Sequence, residues 1–283
     1  MSEYINRDVP SVVILLATYN GEMYLREQLD SLLQQGTDCF TVFIRDDGST
    51  DRTLEIISEY CTKYPDRFIH IVDKLGNLGS SSCFMHLLSL ADSYDYIMFC
   101  DQDDVWLPNK VTLSLAGIQE LEEKFGRDVP LLCFSDLQVV DQHLNEIDSS
   151  FWASQRLDPN ITKDWYRLLA QNVVTGCTMI INRAAREVSL PFVLTEMVHD
   201  QWIAVNVSKI GSVGYLSQPT MLYRQHGRNV VGAHKNIAYY LTCKIADFLD
   251  IVRFYIKASR HFKEVGVIRL FWYKVMINVR RLI

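Results

Sequence analysis

The sequence predicts an α/β fold with a mainly parallel central sheet flanked by helices and a helical C-terminal appendage. Three observations carry this. Short aliphatic runs alternate with longer segments four times before Phe125, each run breaks into a polar turn cluster, and the segments that follow read as helices. Strands joined in this rhythm pair in parallel through right-handed crossovers, and such sheets bind ligands beyond the carboxyl ends of their strands.

The first run, Ser11–Ala17 (SVVILLA), is the continuous aliphatic stretch of a strand buried on both faces. It ends at Thr18-Tyr19-Asn20-Gly21, after which Leu25, Leu29, Leu32 and Leu33 recur at helical spacing up to Gly36. A second strand is predicted at Thr41–Arg45, a turn at Asp46-Asp47-Gly48-Ser49-Thr50, and a helix over Thr53–Tyr64 closed by Pro65. The third strand, Phe68–Asp73, leads through Gly76-Asn77-Leu78-Gly79 into a helix over Ser80–Ala91. The fourth, Tyr96–Cys100, runs into Asp101-Gln102-Asp103-Asp104 and a helix over Asn109–Phe125.

Beyond Pro130 the rhythm loosens. Strands are expected at Leu131–Val140, Cys177–Asn182, Val213–Leu216 and Thr220–Tyr223, with helices at Trp165–Gln171 and Asp200–Lys209. From Ile237 onward the chain reads as helical, with aromatic and aliphatic residues interleaved with Lys and Arg. That pattern fits an interfacial amphipathic surface at a membrane, and equally helices that pack on the core.

The formal net charge of −6 and pI of about 5.6 argue against a nucleic-acid binder, which needs an excess of Lys and Arg. Residues 236–283 alone carry +6, which leaves −12 for the remainder. Seven cysteines without a C-x-x-C pair suit neither a disulfide framework nor a zinc site, so a reducing cytosol is expected. The polar Met1–Pro10 stretch does not read as a signal peptide, and no apolar run approaches a bilayer-spanning length.

Chemistry concentrates at the strand ends. Three carboxylates in Asp101-Gln102-Asp103-Asp104 call for neutralisation, which Mg²⁺ or Mn²⁺ supplies while completing its shell with substrate phosphates. The alternative is a cap for the helix after Pro108. A calcium loop starting at Asp101 fails, because its sixth and twelfth positions are Trp106 and Thr112. In the second cluster a carboxylate could accept from the N3–H of a uracil or thymine ring, the alternative being a turn with an N-cap at Ser49 or Thr50. Adjacent Asp46 and Asp47 do not match the alternating pair of a haloacid-dehalogenase-like phosphatase. No phosphate loop, G-x-G-x-x-G fingerprint or H-E-x-x-H helix occurs.

Ala17-Thr18-Tyr19-Asn20, Asp46-Asp47-Gly48-Ser49-Thr50-Asp51, Asn77-Leu78-Gly79 and Asp101-Gln102-Asp103-Asp104, in that order across Ser11–Trp106, resemble the family 2 glycosyltransferases of GT-A fold. Thr175-Gly176-Cys177, His199-Asp200-Gln201-Trp202 and the 223–232 segment (YRQHGRNVVG) resemble the subgroup of bacterial rhamnosyltransferases that build cell-wall and capsular polysaccharides. The resemblance implies a GT-A domain over residues 1–235, with a nucleotide-sugar half at about 11–106 and an acceptor half at about 130–235, and a basic amphipathic segment at 236–283.

It also implies roles. Thr18, Tyr19 and Asp47 would hold the base, with Asn20, Asp46, Asn77, Gly79, Asp101, Gln102 and Arg224 on the nucleotide side. Asp103, Asp101 and His226 would hold the metal. Thr175, Gly176, His199 and Trp202 would face the acceptor, and Asp200 would be the general base. Helix capping by Asp200 and simple packing of His226 are the structural alternatives. The implied reaction is inverting, metal-dependent transfer from dTDP-L-rhamnose, or alternatively a UDP-hexose, to a glycan on a polyprenyl diphosphate at the inner face of a bacterial cell membrane. A sugar-phosphate nucleotidylyltransferase and a non-catalytic nucleotide-sugar binding subunit are the competing readings, and homo-oligomerisation is left open.

Overall fold

A computed structural model describes residues 10–227 and 250–282. The expected boundary at residues 235/236 and the 228–232 part of the motif lie outside the described residues.

The N-terminal half has the predicted alternation of strands and helices, with the third strand ending at His70 rather than Asp73. Strands β1 (Val12–Thr18), β2 (Phe40–Asp46), β3 (Phe68–His70) and β4 (Tyr96–Cys100) are joined by helices α1 (Leu25–Leu33), α2 (Thr53–Lys63) and α3 (Ser80–Ser89). They pair in parallel in the order β3-β2-β1-β4. Alternation along β1 explains its unbroken aliphatic run: Val13 and Leu15 enter one core while Val12, Ile14 and Leu16 enter the other. β4 divides likewise, with Ile97 and Phe99 on the first side and Tyr96, Met98 and Cys100 on the second. Helices α1, α2 and α4 (Lys110–Phe125) cover the second core; α3 packs on the first.

The sheet continues beyond β4 through β8 (Ile180–Asn182), which is antiparallel to both β4 and β6 (Leu131–Val140). Three small additions, β5 (Val105–Trp106), β7 (Glu146–Asp148) and α5 (Phe151–Gln155), were not foreseen in the sequence. Helices α6 (Trp165–Ala170) and α8 (His199–Ile210) fall where expected, with α7 (Arg183–Ser189) an addition between β8 and α8. The expected strand at Cys177–Asn182 begins instead as a 3₁₀ turn over Gly176–Thr178. The two strands expected at Val213–Leu216 and Thr220–Tyr223 form one, β9 (Ser212–Arg224), parallel to β6. The residues left between the two expected strands, Ser217-Gln218-Pro219, are absorbed into the ladder as register shifts opposite Ser135–Gln138.

Two C-terminal helices, α9 (described over 250–261) and α10 (Val267–Leu282), close the first core with Tyr255, Phe262, Leu270 and Tyr273. One face of this appendage therefore packs on the core. Among the described residues no helix is long and apolar enough to cross a membrane, and the six described cysteines are unpaired.

Candidate functional site

The carboxyl ends of β1, β2 and β4 open into a cavity of about 770 Å³ whose far wall is the start of α8. Its lining includes Thr18, Asp47, Asp101, Asp103 and Asp200. Thr18 and Asp200, 182 positions apart in the chain, thus share one cleft. Tyr19, Asn77, Gly79, Gln102, Thr175, Gly176 and His199, all singled out in the sequence, also line it.

Asp47 is fixed from three sides. Oδ1 accepts from Arg45 Nη1 at 2.6 Å and from the Leu78 amide at 2.8 Å, and Oδ2 accepts from the Gly79 amide at 2.8 Å. Asn77 Nδ2 donates to the Asp47 carbonyl at 2.8 Å. The third-strand loop is therefore wrapped on this carboxylate, and Gly79 takes a φ of 75° that other residues rarely adopt. Three of about four acceptor positions on Asp47 are filled, which leaves one on Oδ2. Arg45, missed in the sequence, is the organiser: it is 2% exposed and also grips Asp73 through Nε at 2.8 Å and Nη2 at 3.1 Å. The guanidinium holds the Asp73 carboxyl well below the usual carboxylate range.

Tyr19 is 50% exposed at the cavity, with its backbone held by an amide clamp. Its N–H donates to Gln102 Oε1 at 2.9 Å, and Gln102 Nε2 donates to its carbonyl at 3.0 Å. Asp46 and Asn20 do not line the cavity and instead shape the loops beside it. Asp46 Oδ2 accepts from the amides of Gly48 and Ser49, and Asn20 Oδ1 accepts from the Thr50 amide at 2.8 Å.

The acidic cluster is not a helix cap. The residue preceding α4 is Asn109, with no side-chain cap from Asp103 or Asp104. Asp104 is fully buried; Oδ1 accepts from the Arg224 amide at 3.0 Å while Oδ2 has no hydrogen-bond partner. One of its carboxyl oxygens, one from Asp101 and the Cys177 thiol lie within 4.8 Å of one another. Burial, then Asp103 and Asp200, push the Asp101 carboxyl up. Asp103 Oδ2 meets His226 Nε2 at 2.9 Å, and His226 stacks on Tyr24 with ring centroids 4.8 Å apart. An orphaned buried oxygen within an excess of carboxylates fits a cation. Behind the cluster, buried Lys110 donates to Thr220 Oγ1 at 3.0 Å, and burial brings its ammonium down to about 8 against the pull of Cys177, Cys100 and Asp104.

Asp200 sits in the first turn of α8, whose N-cap is Val198. Oδ1 accepts from Asn172 Nδ2 at 3.0 Å and from the Gln201 amide at 2.6 Å; Oδ2 accepts from the Gly176 amide at 3.1 Å. Burial pushes its carboxyl up to about 6 despite these donors. A carboxylate held in place and poised near neutrality has the features of a general base. His199 stacks on Phe84 with centroids 4.4 Å apart, and burial brings its imidazole down to about 3, so it is neutral in the working range.

Two further sequence-based assignments are corrected. Trp202 is 3% exposed, donates from Nε1 to the Ser189 carbonyl at 2.7 Å and packs against Phe192 and Phe262, so it is a core residue and faces no acceptor. Arg224 does not line the cavity. It is 2% exposed, and its guanidinium donates to the carbonyls of Asp103 and Gln142 and to Glu27, which ties the acidic loop to α1.

The family model described as Glycosyl transferase family 2 matches residues 13–186, and the chain belongs to that family of glycosyltransferases. It is 28% identical over 275 residues to the dTDP-rhamnosyl transferase RfbG of Shigella flexneri, covering 92% of this chain and 81% of that protein. An uncharacterized glycosyltransferase of Rickettsia prowazekii, RP339, is 27% identical, over 61% of this chain and 50% of its own length. Among solved structures, Staphylococcus aureus TarS with UDP-GlcNAc superposes with a TM-score of 0.61 at 16% identity, over 95% of this chain and 72% of TarS. The mannosyltransferase PcManGT of Pyrobaculum calidifontis, in complex with GDP-Man and Mn²⁺, gives 0.62 at 15% identity, over 96% and 74%. These likenesses place the fold with GT-A glycosyltransferases.

Proposed function

We propose that the chain transfers a sugar, L-rhamnose in the first instance, from a thymidine diphosphate donor to a hydroxyl of a lipid-linked glycan, with inversion at the anomeric carbon. What carries the reading is the arrangement of Thr18, Asp47, Asp101 and Asp103 with Asp200 around one cavity. The dTDP-rhamnosyl relative supports the donor sugar, and a UDP-hexose is the runner-up.

In this reading Asp47 Oδ2 accepts from the pyrimidine N3–H, and the exposed Tyr19 ring supplies a stacking surface. Asp101, Asp103 and His226 would hold a Mg²⁺ or Mn²⁺ ion, with the free oxygen of Asp104 close behind. When bound, such an ion neutralises charge on the diphosphate. Asp200 takes the proton of the acceptor hydroxyl as its oxygen bonds to the anomeric carbon and the bond to the diphosphate oxygen breaks. The nucleoside diphosphate departs with that electron pair, and no covalent enzyme intermediate is needed. Asn172 and the Gly176 amide keep Asp200 oriented throughout. We assign residues 1–235 to this catalytic domain and 236–283 to the basic helical segment, and place the enzyme at the cytoplasmic membrane face where a polyprenyl diphosphate acceptor resides.

A thermal-shift panel of nucleoside diphosphates and nucleotide sugars, with and without Mn²⁺ or Mg²⁺, tests this, because a ligand of the native state raises its melting temperature. Metal-dependent stabilisation by dTDP and dTDP-L-rhamnose is expected. Equal response to purine and pyrimidine diphosphates would overturn the base assignment. Diphosphate release from a nucleoside triphosphate would favour the nucleotidylyltransferase alternative.

A further inference from the structure

A second cleft, of about 300 Å³, lies between α10 and the 156–173 segment, where no sequence motif drew attention. Its apolar wall includes Leu157, Ile161, Tyr273 and Met276, and four arginines, Arg156, Arg167, Arg280 and Arg281, stand around it. Two of these are fixed by main-chain contacts. Arg281 donates to the Gln155 carbonyl through Nε at 3.0 Å and Nη2 at 2.6 Å, and Arg156 Nη1 donates to the Arg281 carbonyl at 2.7 Å. The acid of the lining, Asp158, is committed to the amide and side chain of Asn160, and Arg167 faces Asp164 at 3.3 Å. The cleft thus combines apolar walls with a surplus of positive charge.

Its position gives that combination a purpose. Leu157, Gln171, Val173 and Arg281 line both this cleft and the cavity that holds Asp200. Between Gln171 and Val173 stands Asn172, the donor to Asp200 Oδ1, and Lys274 of α10 donates to Gln171 Oε1 at 2.6 Å. Along α10, Ile268, Trp272, Val275 and Val279 form a stripe at helical spacing, from 45% to 86% exposed, which Trp272 joins to the cleft lining. An apolar stripe beside basic residues suits a helix lying in the surface of an anionic bilayer.

We propose that this cleft binds the anionic phosphate or diphosphate head and the first apolar units of the lipid that carries the acceptor, feeding the attached glycan across the shared wall to Asp200. The proposal rests on the glycosyltransferase reading for the identity of the acceptor. The arginines recognise the phosphates, the apolar wall takes the proximal chain, and the stripe on α10 sets the cleft at the bilayer surface.

Calorimetric titration with farnesyl diphosphate, in the presence of saturating dTDP and Mg²⁺ to occupy the donor site, tests it. Inorganic diphosphate and farnesol serve as half-ligands. Farnesyl diphosphate should bind with dTDP bound, and at least about tenfold more tightly than either half-ligand, since head and tail both contribute. The double variant Arg167→Glu/Arg280→Glu should lose about tenfold in that affinity, while Met276→Glu should weaken it with the charges intact. Hydrolysis of the sugar nucleotide should be unchanged in both, which also shows that they fold. Displacement of farnesyl diphosphate by dTDP, or undiminished binding by the double variant, would overturn the proposal. So would loss of binding to anionic vesicles alone, which would mark the patch as a general membrane contact. Absence of metal-dependent dTDP binding by the unmodified protein would instead count against the proposed donor site, whatever the cleft binds.

Discussion

Asn172 Nδ2 donates to Asp200 Oδ1 at 3.0 Å, across 28 residues of chain, and fixes the orientation of the proposed base. Burial raises the Asp200 carboxyl to about 6, and the Asn172, Gln201 and Gly176 donors oppose that rise by favouring the ionised form. A base must be deprotonated to act, so turnover should fall as pH drops through about 6. Asn172→Ala removes one of the opposing donors. The acid limb of the pH profile should then move to higher pH, with turnover at neutral pH down about tenfold from lost orientation. An unmoved limb would separate Asn172 from Asp200 titration.

Gly176 presents its amide to Asp200, and a Cβ there would lie 2.7 Å from His199 Nε2 and 3.5 Å from Asp200 Cβ. Gly176→Ala must displace the imidazole or the loop, and His199 is held by stacking on Phe84. Displacing a catalytic group by about 1 Å costs on the order of 100-fold, so kcat should fall by roughly that factor with little change in donor affinity. Steady-state kinetics alongside nucleotide titration check the split.

Arg45 is almost fully buried between Asp47 and Asp73, with its side chain 2% exposed. Removing one member of a buried ion pair leaves the other charge uncompensated, at a cost of about 3 kcal/mol. Arg45→Met should therefore lower denaturant stability by about that amount. It should also weaken pyrimidine nucleotide binding, because the carboxylate offered to the base is no longer held. Wild-type stability in a urea titration would contradict this account of the loop.

The metal reading predicts that Asp103→Ala weakens metal-dependent nucleotide binding by at least about tenfold. Chelation should reduce the wild-type protein to the same low affinity, and the variant should gain little from added Mn²⁺. Titrations that respond to metal equally in both proteins would remove Asp103 as a ligand.

Much of this site was legible because its loops are local. Unbroken aliphatic runs mark strands covered on both faces, and the polar clusters that end β1, β2 and β4 fall where parallel sheets open. Long-range partners were not legible. Asn172 gains its meaning from Asp200, and Lys110 from Thr220, 110 residues away. Trp202 and Arg224 misled because each carries a polar tip that the fold satisfies internally, through the Ser189 carbonyl and the carbonyls of Asp103 and Gln142. Residue type advertises a capacity to bind; only packing decides whether a ligand or the protein itself uses it.

The most direct measurement is transfer and donor hydrolysis by Asp200→Asn, paired with calorimetric binding of dTDP and metal. The near-isosteric amide keeps the shape of the site but cannot take a proton. Turnover should fall by about two to four orders of magnitude while nucleotide binding persists. Turnover at the wild-type level would contradict the assignment of Asp200 as the base, and with it the account of how the two halves of the cavity act together.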